Sequence, residues 1–321
     1  MYSTSNINKT SSRREIIDHV LSDLRELKRE KSFNNIYAID ENISFFISSK
    51  SKIAYFYWLF RKAAKLDKHK LLELTDLPFP IWDQKMHLKL IELERRKFPG
   101  LVSPLVEKIF NFVNSNRKDS PLVLVDFGSG GMEIERQIIK KLLDSNFGRT
   151  IIFIGVDKSP VTHAIAKNNL KEFSGIIDIK EVININEDVL DEEIKFNAKR
   201  LKVILCQNDI FSLLKEFKTR KFDLIFHSLF KHHLSDEEKE KLDLVSSALS
   251  KNIIEFDGYK SWFHIAMPHT ITGWHDPVFL NAAIFSDLRY FTRNEIKERK
   301  KSGWKLSLFK MGSYMLEKNN S

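Results

Sequence analysis

The residues of this chain best suited to chemistry are acids and histidines that follow apolar runs. Asp126 ends "LVLVD" (122–126), Asp157 ends "IIFIGVD" (151–157), and Asp209 follows "LKVILCQN" (201–208). His227 follows "FDLIF" (222–226), and His232 and His233 adjoin in "SLFKHHLSDEE" (228–238). A carboxylate at a strand tip accepts hydrogen bonds from a ligand's hydroxyl or ammonium groups. A histidine changes charge near neutral pH, so it can take a proton from a hydroxyl or amine nucleophile. Equally, such histidines pack or cap a helix, here one beginning near Ser235. Six of the ten histidines lie between 227 and 275, the others in that span being His264, His269 and His275. None is spaced i, i+4 as a helical metal pair would be. Substrate contacts or loop polarity therefore account for them better than a metal, and none is expected.

The elements that must position these groups follow from the pattern around Asp126. Leu122–Val125 is short, partly β-branched and unbroken by polar residues, as in a strand covered on both faces of a parallel sheet. Gly128, Gly130 and Gly131 allow a tight turn and close backbone approach to a ligand. "MEIERQIIKKLLDS" (132–145) then reads as a helix with Ile134, Ile138, Leu142 and Leu143 near one face. Strand, glycine turn and helix form the first half of a nucleotide-binding unit, although a tight connection without a ligand reads the same way. A dinucleotide site requires G-x-G-x-x-G, but Glu133 stands at the third glycine's place, where it would repel a pyrophosphate at the helix N-terminus. No Gly-Lys-Ser/Thr follows, so the phosphate-loop pattern is also absent. An acid ahead of the glycines suits a ligand with a positive amino group.

"VLVDFGSGG" (123–131) resembles the first motif of class I S-adenosylmethionine-dependent methyltransferases, an acid followed by G-x-G. The usual third glycine falls at Met132, beside Gly131. The resemblance implies that Asp126, Gly128, Ser129 and Gly130 meet the methionine end of S-adenosyl-L-methionine. "VDKSPVTHAIAKNN" (156–169) is similar to the family's second station, where a Ser-Pro opens the next helix. Asp157, with Lys158 beside it, is then placed at the ribose. Ser159 reads as the N-cap and Pro160 as the first helical residue. A strand-end turn acid remains the other reading of Asp157.

By the same resemblance Asp209 and Ile210 surround the adenine, after a strand at Val203–Cys206. The polar stretch 170–200 offers a rival acid, Asp188, but a short helix and then "KFDLIFHSLF" (221–230) follow Asp209 directly, as the fold requires. The next strand is expected at Phe222–Phe226, with its end beside the reacting methyl. No Asn/Asp-Pro-Pro-Tyr/Phe motif for a planar amino group follows. Cys206, the one cysteine, sits in a strand and reads as a buried structural thiol rather than a nucleophile. "LFKHHL" (229–234) is similar to the L-x-H-H-L stretch of small-molecule methyltransferases, including the ubiquinone/menaquinone C-methyltransferase-like group. It implies His232 or His233 as proton acceptor or orienting group, with His227 a further candidate. "NIIEFDG" (252–258) and "SWFHIAM" (261–267) compete for the fifth strand, and 258–290 matches nothing assignable. Thr292 and Glu295 form a capping box, Gly303 ends that helix, and a strand pair turns at 310–312 to finish the sheet.

The expected fold is therefore α/β, a Rossmann-like seven-stranded methyltransferase sheet over 101–321, with an N-terminal helical cap over 1–100. Within the cap, "SSRREIIDHVLSDLREL" (11–27) has a capping box at Ser12 and Glu15. Tyr55, Tyr57, Trp58 and Trp82 are candidate lid residues, or simply hold the helices together. The chain of 321 residues can bury a full core, and 42% hydrophobic with 30% charged residues is ordinary globular composition. The polar N-terminus carries no signal-peptide pattern, and the longest apolar run, "IAYFYWLF" (53–60), is too short to span a bilayer. One cysteine excludes an internal disulfide and agrees with a reducing, cytoplasmic setting. The net charge of +9 is mostly lysine without a dense arginine–aromatic patch, so it reads as composition rather than a nucleic-acid footprint.

The sequence thus points to methyl transfer from S-adenosyl-L-methionine to an O, N or C atom of a small-molecule acceptor. An RNA or protein methyltransferase docking through its basic surface, a nicotinamide-dependent oxidoreductase and a non-catalytic relative that binds partners remain as alternatives. Oligomeric state is not legible.

Overall fold

The computed structural model describes residues 101–116, 121–145, 147–195, 200–213, 216–217, 222–260, 290–309 and 312–319. All of these but Lys260 belong to one compact unit spanning 82–259 and 290–321. The helices expected before residue 101, the lid candidates Tyr55, Tyr57, Trp58 and Trp82, and His264, His269, His275 and "SWFHIAM" lie outside the described residues.

An eight-stranded sheet organises the unit, in the order β3-β4-β2-β1-β5-β6-β8-β7. Its strands are β1 Leu122–Phe127, β2 Ile151–Asp157, β3 Ile177–Val182, β4 Leu201–Gln207, β5 Leu224–Ser228, β6 Asn252–Gly258, β7 Lys305–Leu308 and β8 Ser313–Asn319. β1 to β6 are mutually parallel, and β8 runs antiparallel to β6 and to β7. The seven helices, in chain order, are α1 Ser103–Ser115, α2 Glu133–Asp144, α3 Pro160–Leu170, α4 Glu187–Lys195, α5 Ile210–Leu213, α6 Asp236–Leu249 and α7 Arg293–Lys301 among the described residues. This is the expected α/β, Rossmann-like architecture. It carries one strand beyond the expected seven.

The additional strand is β3, which pairs only with β4 and so forms a sheet edge. With α4 it accounts for the long polar stretch before β4. Its attachment is partly ionic: Lys202 of β4 is almost fully buried and pairs with Glu193 of α4 and with Asp178 of β3. Glu193 also accepts from Lys180. Asp188, the rival adenine acid, stands exposed in the first turn of α4.

The core strands read as they do because both faces are covered. Every residue of β1 is buried, and β2 and β4 are buried up to their last residue. Full burial of each Val, Leu or Ile stabilises by roughly 1.5–3 kcal/mol. Above β1, α2 buries Ile134, Ile138, Ile139 and Leu142. Leu143, expected on that face, is half-buried, because the inward arc is centred on Ile138 and Ile139.

Chain order reverses between β1 and β5. From β1 the chain builds outward through β2, then returns to the far side of β1 as β5. In open parallel sheets the crevice outside the strand ends at such a point is where ligands bind. β5 starts and ends later than the expected Phe222–Phe226. Its pairing with β6 continues through His227↔Glu255 and Ser228↔Phe256, which draws His227 into the strand. "NIIEFDG" is β6 and settles the fifth station. The tail follows its punctuation: Thr292 and Glu295 cap α7 reciprocally, Gly303 has φ 86°, and Gly312 at φ 76° closes the β7–β8 turn.

Candidate functional site

The loop from β1 to α2 is built by three residues with left-handed backbone. Gly128 has φ 73°, Gly130 φ 52° and Met132 φ 54°. Met132 thus adopts the backbone expected of the glycine it replaces, at a cost of about 1–2 kcal/mol. Its side chain is fully buried, and the neighbouring strand makes room for it. A Cβ on Gly155 of β2 would lie 3.0 Å from Met132 Sδ and Cε and 2.8 Å from Ser129 Oγ. The loop therefore folds down onto a notch in β2. On its other side, a Cβ on Gly128 would lie 2.3 Å from Cδ2 of Phe230, so the turn after β5 packs against the loop.

Asp157 locks the loop to the tip of β2. Its Oδ2 accepts from the Gly130 N–H at 3.0 Å, and its Oδ1 accepts from the Ser159 N–H at 2.9 Å. Gly128 and Ser129 donate to the Val156 carbonyl at 2.9 and 3.2 Å, and Asn169 of α3 donates to the Gly131 carbonyl at 2.9 Å. Ser159 caps α3 as expected, accepting from Val161 and Thr162. Asp126 is buried at the end of β1, opposite Gly155 and Phe226 of the flanking strands. Lys158 is exposed. Asp209 is exposed at the start of α5, where its Oδ1 accepts from Phe211 and Ser212 at 2.8 and 3.3 Å, and Ile210 is buried beside it.

Gly130 itself is uncrowded: among the described residues a Cβ there would meet nothing within 4 Å. At the N-terminus of α2, Glu133 is buried and ion-paired to Arg136 at 2.9 Å. A protein carboxylate thus already serves the helix dipole where a pyrophosphate would bind.

The second half of the site is the turn after β5. Leu229 has φ 49°, and Lys231–His233 form one turn of 3-10 helix before the Ser235–Glu238 capping box of α6. Lys231 points inward and is almost fully buried. Its Nζ meets Asp243 of α6 at 2.5 Å and Glu255 of β6 at 3.1 Å. Arg299 of α7 meets the same two carboxylates at 2.9 and 2.5 Å, and the Tyr314 hydroxyl of β8 donates to Glu255 at 2.6 Å. Burial alone would push Glu255 up, but Arg299, Lys231 and His227 hold its carboxyl well below the usual carboxylate range. Burial likewise pushes the Tyr314 hydroxyl well above its ordinary value.

His232 and His233 lie together, with ring centroids 3.9 Å apart. His232 is buried, and its Nδ1 lies 2.9 and 3.1 Å from the two oxygens of Asp257, at the end of β6. The Tyr290 ring packs edge-on to His232 at 4.6 Å. Burial pushes the Asp257 carboxyl up to about 7, against the Gly258 N–H that donates to it at 2.8 Å. His227 stands apart from this pair. It is enclosed within β5, and burial lowers it to about 4, so it is neutral at neutral pH. Cys206 is buried in β4, where burial raises its thiol to about 11.

Lys231, Glu255 and Asp257 were not legible as site residues. A lysine in a polar turn reads as exposed. Glu255 and Asp257 did carry a signal: two acids at i, i+2 in an apolar strand point to one face. Among the described residues no group of three or more His, Cys, Asp or Glu is arranged to hold a metal. No helix among them is long and apolar enough to cross a membrane.

No protein-family model matches the sequence, and no curated protein matches it. Solved structures similar to this fold include the plantazolicin methyltransferase BpumL in complex with SAH, at 13% identity and TM-score 0.47, covering 75% of this chain and 93% of that one. The methyltransferase domain of bacterial CtHen1 has 15% identity and TM-score 0.39, covering 68% and 99%. Magnesium protoporphyrin IX methyltransferase (ChlM) from Synechocystis PCC 6803 with bound SAM has 13% identity and TM-score 0.38, covering 68% and 79%.

Proposed function

We propose that the chain is an S-adenosyl-L-methionine-dependent methyltransferase acting on a small-molecule acceptor. The observation that carries this reading is the junction of Gly130 and Asp157 beside the reversal of strand order, at a glycine where a Cβ would meet no described residue within 4 Å. The loop backbone and a strand-tip acid meet there, and a third left-handed residue, Met132, completes the turn. Glu133 at the α2 N-terminus favours a ligand without a pyrophosphate, which separates this reading from a nicotinamide oxidoreductase.

In this reading Asp126, Gly128, Ser129 and Gly130 hold the methionine end of the cofactor. Asp157, with Lys158 beside it, accepts from the ribose hydroxyls, and Asp209 with Ile210 borders the adenine. Bound there, the cofactor supplies an electrophilic methyl group on sulfur. The protein's part is to align the acceptor, exclude water and receive a proton where the acceptor carries one. His232 and His233, adjoining the β5 tip, suit that part. His227, neutral and enclosed in the strand, supports β5 against Glu255 instead. The depth of His232 favours a slender acceptor that enters a pocket over a surface docked on a broad face.

The acceptor class is tested by incubating the protein with S-adenosylmethionine tritiated in the methyl group and a cell extract, then separating small molecules, nucleic acid and protein. Label in the small-molecule fraction is expected. Label confined to nucleic acid or protein contradicts the acceptor class, and label in no fraction contradicts the enzyme reading.

A further inference from the structure

The turn carrying His232 is held from two sides. Lys231 is anchored below by Asp243 and Glu255. Asp257 holds the next residue twice, through the His232 backbone N–H at 3.3 Å and through ring Nδ1. Tyr290 closes the ring's edge, and Gly258 permits it: a Cβ there would lie 2.4 Å from the Tyr290 ring. These contacts serve orientation of one imidazole, beside the tips of β5 and β6 and next to the reversal of strand order.

Above about 7 Asp257 is ionised; its carboxylate then only accepts hydrogen bonds, so the ring nitrogen facing it must carry a proton. A neutral imidazole protonated at Nδ1 has its lone pair on Nε2. We infer that Asp257 is a positioning residue that fixes His232 as the Nδ1–H tautomer, so that Nε2 takes the proton of a hydroxyl or N–H acceptor. The inference rests on the methyltransferase reading above and narrows its acceptor to a protic one. As the acceptor–methyl bond forms, the methyl–sulfur bond breaks and its electron pair stays on sulfur. The acceptor's proton passes to His232 Nε2, and Asp257 stabilises the resulting imidazolium. Among the described residues, the other titratable groups around the pair are Glu255 on β6, His227 on β5, His233 on the turn, Tyr290 against the ring and Tyr314 on β8.

The test is nitrogen NMR of the full chain with isotopically labelled histidine, in wild type and Asp257→Asn, with S-adenosylhomocysteine as the probe ligand. At a pH above the Asp257 titration near 7, wild-type His232 should read as Nδ1–H. In the variant, the amide donates to Nδ1, so the tautomer should flip to Nε2–H, as when the aspartate of a hydrolytic triad becomes asparagine. The apparent His232 pKa should fall by about one to three units. S-adenosylhomocysteine affinity should be unchanged. A wild-type Nε2–H tautomer at that pH, with Asp257 still protonated and donating to the ring, overturns the inference even if the variant fails to fold. So does a variant that keeps the wild-type tautomer and pKa. Wild type that binds no S-adenosylhomocysteine overturns the reading beneath it instead.

Discussion

The carboxylate of Asp157 accepts a hydrogen bond from the backbone N–H of Gly130 at 3.0 Å, across the gap between β2 and the β1–α2 loop. One strand tip thereby fixes the shape of the neighbouring strand's loop. In the proposed function the same acid also accepts from the ribose, which would make binding and loop geometry depend on one side chain.

The loop's fit to β2 predicts a loss of stability from two opposite glycine exchanges. Met132→Gly relieves a left-handed backbone but removes a fully buried side chain. Packing outweighs strain, and the variant should lose about 1–3 kcal/mol in denaturant unfolding. Gly155→Ala places a methyl against Ser129 and Met132 and should cost about 1–3 kcal/mol by overpacking. Equal or greater stability in either variant contradicts the packing described.

Glu255 gathers Lys231, Arg299 and Tyr314 in the interior. Glu255→Gln leaves two buried cations short of charge and should destabilise by about 3–5 kcal/mol. Its carboxyl is held below the ordinary value of 4.5. Its contribution is therefore present above that pH and lost as pH falls through the folded value. Thermal melts across acid pH should show a steeper decline in wild type than in the variant.

Asp257 has the reverse sign. Burial raises it from 3.8 to about 7, so its contribution to stability is full below 3.8 and is lost as pH rises through about 7. Asp257→Asn should remove that part of the slope, read from urea unfolding at several pH values between those limits. An unchanged slope would show that Asp257 titrates normally.

Cys206 is buried, with a thiol raised to about 11. A maleimide or disulfide reagent should leave it unmodified in the native protein and label it fully in denaturant. Rapid native labelling would contradict its place in β4.

Much of the fold was legible because the core strands are apolar runs with punctuation at their ends. Asp126 and Asp157 mark strand tips, Ser159–Pro160 opens a helix, and Thr292 with Glu295 and Gly303 bound another. What was hidden depended on pairing across the sheet. His227 falls inside β5 because β6 extends the ladder past Phe226. β3 was masked by its own polarity, since an edge strand packs against one neighbour only and attaches through Lys202 and Glu193. The partner of His232 comes from a strand 25 residues away, and no local spacing announces that contact.

The most direct test of the account is calorimetric titration of the full chain with S-adenosylmethionine and S-adenosylhomocysteine, with NADH as the control and Asp157→Ala beside wild type. The account predicts that wild type binds both sulfur ligands and not NADH. Asp157→Ala should stay folded and bind about a hundredfold more weakly or worse, having lost hydrogen bonds to a charged acceptor. A folded wild type that binds neither sulfur ligand, or binds NADH in their place, would contradict it.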